Sequence, residues 1–278
     1  MNPMGNNNTA VISGGASGIG LECAKRFLER GMNVVIADLK GIDPARQYLS
    51  EIADNKDKIL ACECDVTDLD ALKNLNQKVT ERFEKVHCLM GNAGIISRGT
   101  NPWEDIDQLH NILGINFMGV VNLCNAFIPS MLAHGEEGVV INTGSKQGIT
   151  RPPGNYAYNL SKAGVVAYTE ALSHAFLKTE NCNLSAHLLI PGFVYTPMIS
   201  AFIPDKPEFA ATTEETVDYF LDALGRGEFY ILCPDHETSR EIDQKRIQWA
   251  ADDIIKNRPA MSRWHPDFEK EFEDFMKN

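Results

Sequence analysis

Seven short Val/Ile/Leu-rich runs, separated by longer segments of helical periodicity, constrain this chain most strongly. The runs cover residues 9–13, 33–37, 58–62, 87–90, 138–142, 184–190 and 229–233. Several are apolar without alternation, the pattern of strands buried on both faces. Between them, Leu21, Ala24 and Leu28 mark one helical stripe, and Leu69, Leu72, Leu75 and Val79 another. Leu109, Leu113, Phe117, Val120, Leu123, Phe127 and Met131 form a third, and Val217, Phe220, Leu221 and Leu224 a fourth. Alternating β and α units predict an α/β fold: a seven-stranded parallel sheet with helices on both faces.

The chain has 278 residues, enough for a continuous core, and no repeat, low-complexity tract or long linker divides it. It reads as one domain over residues 1–278, with a core over about 8–235 and a C-terminal helical extension over about 236–278. In the extension, Ile247, Ala250, Ala251, Ile254 and Ile255 form one stripe, ended by Arg258-Pro259. Phe268, Phe272, Phe275 and Met276 form a second. Two appended helices are expected, packed on the body or on a partner subunit.

Acidic residues outnumber basic ones 38 to 26, for a net charge of −12. Nucleic-acid and anionic-membrane partners need clustered cations, so neither is expected. The first residues have no basic region followed by an apolar one, so no signal peptide is expected. No apolar run approaches the length of a membrane span. The seven cysteines are odd in number and dispersed, with no C-x-x-C, which points to buried thiols in a reducing cytoplasm. The seven histidines lack H-x-x-x-H spacing, and no metal site is expected.

The first strand runs into Ser13-Gly14-Gly15-Ala16-Ser17-Gly18-Ile19-Gly20 and then a helix. Glycines allow a tight turn and close approach to a pyrophosphate, whose charge the helix N-terminus attracts. Asp38 ends the next strand, eighteen residues past Gly20. A carboxylate there suits two free ribose hydroxyls and repels a 2′-phosphate, so NAD is favoured over NADP. Lys40, two residues on, is the one cation beside it that suits a phosphate. Asp65-Val66 follows the third strand and Gly91-Asn92-Ala93-Gly94 the fourth, where open α/β sheets place their ligand.

Tyr158 and Lys162 stand one helical turn apart on the same face, and Ser145 precedes Tyr158 by thirteen residues. A free tyrosine titrates near 10 and is a poor base at neutral pH. An ammonium beside it is expected to favour the phenolate. A serine hydroxyl from a neighbouring loop would hold the substrate oxygen while the tyrosine moves the proton. Tyr156 is a rival, but it lies on another helix face and six residues from Lys162.

Together these residues resemble the short-chain dehydrogenase/reductase family in its single-domain, NAD-preferring branch. Ser13 stands where that family usually has Thr, Gly91 replaces a common Asn, and Gly144 a frequent Ser. Asn116, Ser145, Tyr158 and Lys162 match the family's catalytic residues. The resemblance implies a Rossmann-type doubly wound sheet that binds NAD. It implies cofactor contacts from Gly14, Ser17, Gly18, Ile19, Gly20, Asp38, Leu39, Asp65, Val66, Asn92, Ala93 and Gly94. Tyr158, Lys162, Pro191, Gly192, Val194 and Thr196 complete that set. It further implies Tyr158 as general acid/base, Lys162 as a ribose ligand, Asn116 as the anchor of a proton-relay water, and a homodimer or homotetramer. The expected activity is hydride transfer between NAD(H) and a secondary alcohol or ketone with an apolar body. Alternatives are an NADP-dependent carbonyl reductase and a catalytically silent nucleotide-binding regulator on the same fold. Gln147, Tyr156, Met198 and Phe202 are expected to line the substrate pocket. Arg98, just past the Asn-Ala-Gly turn, and Lys146 and Arg151, which flank Ser145, are candidates to receive an anionic group.

Overall fold

In a computed structural model, which describes residues 3–277, every apolar run named above forms a strand. The strands are β1 (Thr9–Ser13), β2 (Asn33–Asp38), β3 (Ile59–Glu63), β4 (Cys88–Gly91), β5 (Gly138–Thr143), β6 (Leu184–Ile190) and β7 (Tyr230–Leu232). The helices are α1 (Gly18–Glu29), α2 (Ile42–Ile52), α3 (Leu69–Phe83), α4 (Ile106–Leu113), α5 (Gly119–His134), α6 (Lys146–Thr150), α7 (Tyr156–Lys178), α8 (Pro197–Ser200), α9 (Thr213–Gly225), α10 (Arg240–Ile255) and α11 (Glu269–Lys277). The strands pair in parallel, in the order β3-β2-β1-β4-β5-β6-β7.

Successive strand residues belong to opposite cores, which explains the lack of alternation. Val11, Val35, Leu89, Val140 and Leu188 pack with α3, α5 and α7. Ala10, Ile12, Ile36, Met90, Ile141 and Leu189 pack with α1, α2 and α9. The strand order reverses between β1 and β4, so their carboxyl ends open a crevice. Ser13, Gly91 and Asn142 lie in one register row, which places the loops that follow them side by side.

Three expectations need correction. First, a π-helical turn, Gly114–Met118, joins α4 to α5. Its i→i+5 bonding shifts the helix phase, so Ile112 and Asn116 are the fully buried residues here, while the expected Leu113 and Phe117 are half-buried, Phe117 against the core. Second, the continuous helix Ile106–His134 is long and apolar enough to cross a membrane by length and composition. Its Val120, Leu123, Phe127 and Met131 are buried in the core, the use to which this chain puts that apolarity. Third, only the start of the extension's first stripe packs on the body: Ile247 lies against the core, whereas Ile254 and Ile255 are 80% and 74% exposed.

The interior of the extension is built around Trp249. Its indole donates to Ser262 Oγ at 2.8 Å, lies under the Arg258 guanidinium at 3.8 Å, and meets Phe272 and Phe275 at 5.2 Å. Asp253 accepts from Arg258 at 3.0 Å and from the Ser262 backbone at 3.1 Å. A hydrophobic count misses this arrangement because two of the four Trp249 partners, Ser262 and Arg258, are polar or charged. The second stripe packs there through α11, against the extension's own Trp249 and not against the body as expected. Trp249→Ala removes the central side chain, so amide exchange should accelerate within residues 240–277 while β1, β4 and β5 stay protected. Hydrogen-exchange mass spectrometry reads this, and unaltered exchange in the extension would contradict the packing described.

Candidate active site

The glycine turn between β1 and α1 is held by neighbours across the sheet. Gly14 has φ +65°, and a Cβ there would stand 2.8 Å from Ala93 Cα. A Cβ on Gly20 would stand 2.2 Å from the Gly14 carbonyl oxygen, so α1 can approach the strand this closely only with glycine at that position. No side chain caps the N-terminus of α1, and its first turn holds no acidic residue. Its first N–H groups therefore suit an anion. Asp38 Oδ2 accepts from the Ala16 N–H at 3.2 Å and Oδ1 from the Leu39 N–H at 2.8 Å, which fixes the carboxylate beside the turn. These features fit a dinucleotide, with the pyrophosphate over the turn and a ribose at Asp38.

A hydrogen-bond chain runs from this turn along the strand ends. Ser13 Oγ accepts from the N–H groups of Asn92 (3.0 Å) and Ala93 (3.2 Å). Asn92 donates to the Gly14 carbonyl at 3.1 Å and accepts from Thr143 Oγ1 at 3.2 Å. The Thr143 carbonyl accepts from Lys162 Nζ at 2.7 Å. The Gly91 departure also has a local reason: a Cβ there would lie 2.8 Å from Asn142 Oδ1, and Asn142 Nδ2 donates to Thr169 at 3.1 Å.

The structure brings Ser145, Tyr158, Lys162 and Asn116 to one end of the sheet. Ser145 caps α6, accepting from the Gln147 N–H at 3.2 Å, and its hydroxyl favours the Tyr158 phenolate. Lys162 Nζ lies 5.7 Å from the centre of the Tyr158 ring. Asn116, fully buried in the π turn, accepts from the Ile95 N–H at 2.8 Å and donates to the Ile95 carbonyl at 2.9 Å. It thereby pins the strand-end loop that carries Gly94, which faces Asn116 and Lys162.

A family model described as short chain dehydrogenase matches residues 8–207. The chain belongs to the short-chain dehydrogenase/reductase family. A 1-deoxy-11-beta-hydroxypentalenate dehydrogenase of Streptomyces avermitilis is 28% identical over 247 residues, 87% of this chain and 90% of that protein. A 3beta-hydroxysteroid dehydrogenase of Eggerthella lenta is 30% identical, over 70% of this chain and 74% of that protein. A solved short-chain dehydrogenase/reductase from Burkholderia phymatum, in complex with NAD, superposes with a TM-score of 0.80 at 25% identity, over 93% of this chain and 97% of its own. The chain is thus an oxidoreductase of a family whose relatives here are hydroxy-group dehydrogenases.

Against this family background, the electrostatics of the tyrosine run opposite to expectation. Burial raises the Tyr158 pKa, and the Ser145 hydroxyl opposes this only in part. The ammonium that was to lower it is aimed at the Thr143 carbonyl, and burial has lowered its own pKa to about 8. Lys146 is likewise committed: it pairs with Asp235 at 3.3 Å and Asp243 at 2.6 Å. Asp235 also accepts from the Phe193 N–H at 3.1 Å, which ties the loop of Pro191, Gly192, Val194 and Thr196 to α6. No motif marked Asp235 or Asp243; only the fold unites them with Lys146.

Residues 194 and 211 form a bridge at the base of the segment between them, and Phe193 packs edge-on against Phe209 at 5.1 Å. Met198 lies on α8 within that segment, and Phe202 is exposed just past it. Tyr156 opens α7, with its hydroxyl buried and unpartnered among the described residues. Gln147 sits in the first turn of α6. Asp65 accepts from Thr67, and Val66 is buried against Gly119.

The Lys162 shift has a definite thermodynamic sign. Its folded pKa lies below the unfolded value of about 10.4. Between about pH 8 and 10 the unfolded chain binds the extra proton, so this group makes stability rise with pH. The difference in unfolding free energy between wild type and Lys162→Met should therefore grow by roughly 1–3 kcal/mol from pH 7.5 to 10. Urea unfolding of both proteins measures it. Buried thiols act in the opposite direction but cancel in the difference, and the lost Thr143 bond contributes only a constant offset.

Proposed function

We propose that this protein is an NAD-dependent dehydrogenase/reductase interconverting a secondary alcohol and a ketone, with Tyr158 as its general acid/base. One observation carries the proposal: the hydrogen-bond chain Gly14–Asn92–Thr143–Lys162, which couples the nucleotide turn to the helix bearing Tyr158. Bound nicotinamide supplies or accepts the hydride. Ser145 hydrogen-bonds the substrate oxygen and stabilises the charge that develops there. Tyr158 takes the alcohol proton in oxidation and returns it in reduction. With its pKa raised in the protein alone, Tyr158 needs positive charge nearby. Lys162 provides it by swinging from the Thr143 carbonyl towards the phenol and the nicotinamide ribose. Asn116 holds the adjoining loop and orders the proton path from Lys162.

The NAD preference rests on Asp38, whose carboxylate is fixed at the end of β2 where a 2′-phosphate would lie. The NAD held by the Burkholderia phymatum protein supports it. The other cofactor-binding positions are those given from the sequence. Met198 and Phe202 on the tethered segment, with Tyr156 and Gln147, form the substrate pocket, and its apolar character suits an apolar alcohol. A single domain, a cytoplasmic location and a homodimer or homotetramer belong to the same reading. The apolar side chains of Ile106, Met118, Leu160 and Leu177, exposed on the helices around α4, α5 and α7, suit the subunit contact.

Two measurements test the proposal. Tyr158→Phe should lower turnover by about 10² to 10⁴ while NAD affinity, read by calorimetry, is retained; near-normal turnover would remove Tyr158 from the mechanism. Asp38→Ser should shift the ratio of kcat/KM for NADP over NAD upward by roughly tenfold or more. A wild-type preference for NADP would instead favour the carbonyl-reductase alternative, with Lys40 on the phosphate.

A further inference from the structure

The extension encloses a second concavity, of about 190 Å³, between α10, the turn after it and the end of α6. Arg151, Arg246 and Arg263 line it together with Trp249, Trp264 and Met261. Ser145, Tyr158, Lys162 and the tethered segment take no part in that lining. In a chain of net charge −12, three guanidinium groups converge here. Among the described residues, none of the three has an ion pair within 4.0 Å. The nearby carboxylates are already engaged: Asp243 with Lys146 at 2.6 Å, Asp253 with Arg258 at 3.0 Å and with Ser262. Arg246 Nε is buried with no hydrogen-bond partner, while its Nη1 donates to Thr238 at 3.2 Å. Arg263 lies over the rings of Trp264 (4.7 Å) and Phe272 (5.2 Å). Burial, and then repulsion from Arg246, lowers its pKa to about 10, and Asp243 opposes that shift only in part.

Unpaired, partly desolvated guanidinium groups select carboxylates, which they bind bidentately. Apart from Thr150 and the Asp253 carboxylate, which Arg258 neutralises at 3.0 Å, the remaining walls are indole, thioether and aliphatic, which select an apolar body. An apolar cavity of about 150 Å³ accommodates benzene, so this one has room for a ring and one carboxylate.

We propose that this cavity binds a small carboxylate with an apolar body, about the size of benzoate. The carboxylate faces Arg151, Arg246 and Arg263, and the body lies against Trp249 and Trp264. Two sources share this chemistry: a free carboxylate, and the far end of a carboxylate-bearing substrate. Both lie near the reaction centre, because Ser145 and Arg151 cap the two ends of α6, about 9 Å apart along its axis. The Lys146–Asp243 pair also joins α6 to α10.

The test is titration of benzoate into the full-length protein without cofactor. Binding is followed by tryptophan fluorescence in a Trp103→Phe background, which removes the tryptophan outside the cavity lining. Benzoate should bind saturably, at least tenfold tighter than neutral benzyl alcohol. Arg151→Gln, at an exposed position, and Arg263→Gln should each weaken it roughly tenfold. Arg263→Lys, which keeps the charge, should restore part of that loss. With a turned-over alcohol, competitive inhibition by benzoate assigns the cavity to the substrate's far end, and non-competitive inhibition to a free ligand. No saturable binding at millimolar benzoate would overturn the proposal. So would equal binding of benzyl alcohol, or unchanged affinity in the Arg151→Gln/Arg263→Gln double variant. Because binding is read without turnover, failure of the Tyr158 mechanism would leave this result standing.

Discussion

The molecule depends on one constraint: a parallel sheet buried on both faces must satisfy every strand-end polar group from within the protein. Backbone groups at the carboxyl ends of β1, β4 and β5 have no water on either face to turn to. Ser13, Asn92 and Thr143 meet that need, one from each strand, and their bonds leave the three loops in fixed register. The same side chains that finish the ladder therefore shape the crevice. Lys162 is the last member of this chain, its ammonium held on the Thr143 carbonyl at the edge of the crevice.

The cost of this arrangement appears as buried charge. Lys162 is held as a cation among neutral dipoles, with a backbone carbonyl as its nearest partner, and its lowered pKa measures that penalty. A site that binds charge must keep some polar groups incompletely satisfied until ligand arrives. Tyr158 shows the same tension, its phenol raised by burial while the ammonium is directed elsewhere. At the other side of Ser145 the solution differs. Lys146 is neutralised by two carboxylates, Asp235 at the end of the sheet and Asp243 from the extension. That pairing makes the extension part of the support of α6.

Much of this was legible in the residues because local patterns carried it. Non-alternating apolar runs gave the strands to within about two residues, because burial on both faces demands apolar side chains at every position. The glycine turn, Asp38, Asn92, Ser145, Tyr158 and Lys162 were recognisable by type and spacing. The π turn was not, since one residue of helical phase is invisible to a stripe that tolerates both three- and four-residue steps. The orientation of α10 was not either, because its interior uses Trp249 against Arg258 and Ser262 where an apolar count looks for isoleucines.

By itself, the sequence determined the α/β class, the order of its elements and the family, because each follows from residue type and short spacing. Tertiary structure decided what the charges do. Lys146 became a buried pair, Lys162 an ammonium on a carbonyl, and three arginines from α6, α10 and the turn after it a shared cavity wall. Their partners lie up to about a hundred residues away in the chain, and a charge's environment depends on distance and burial in three dimensions, which no local pattern encodes.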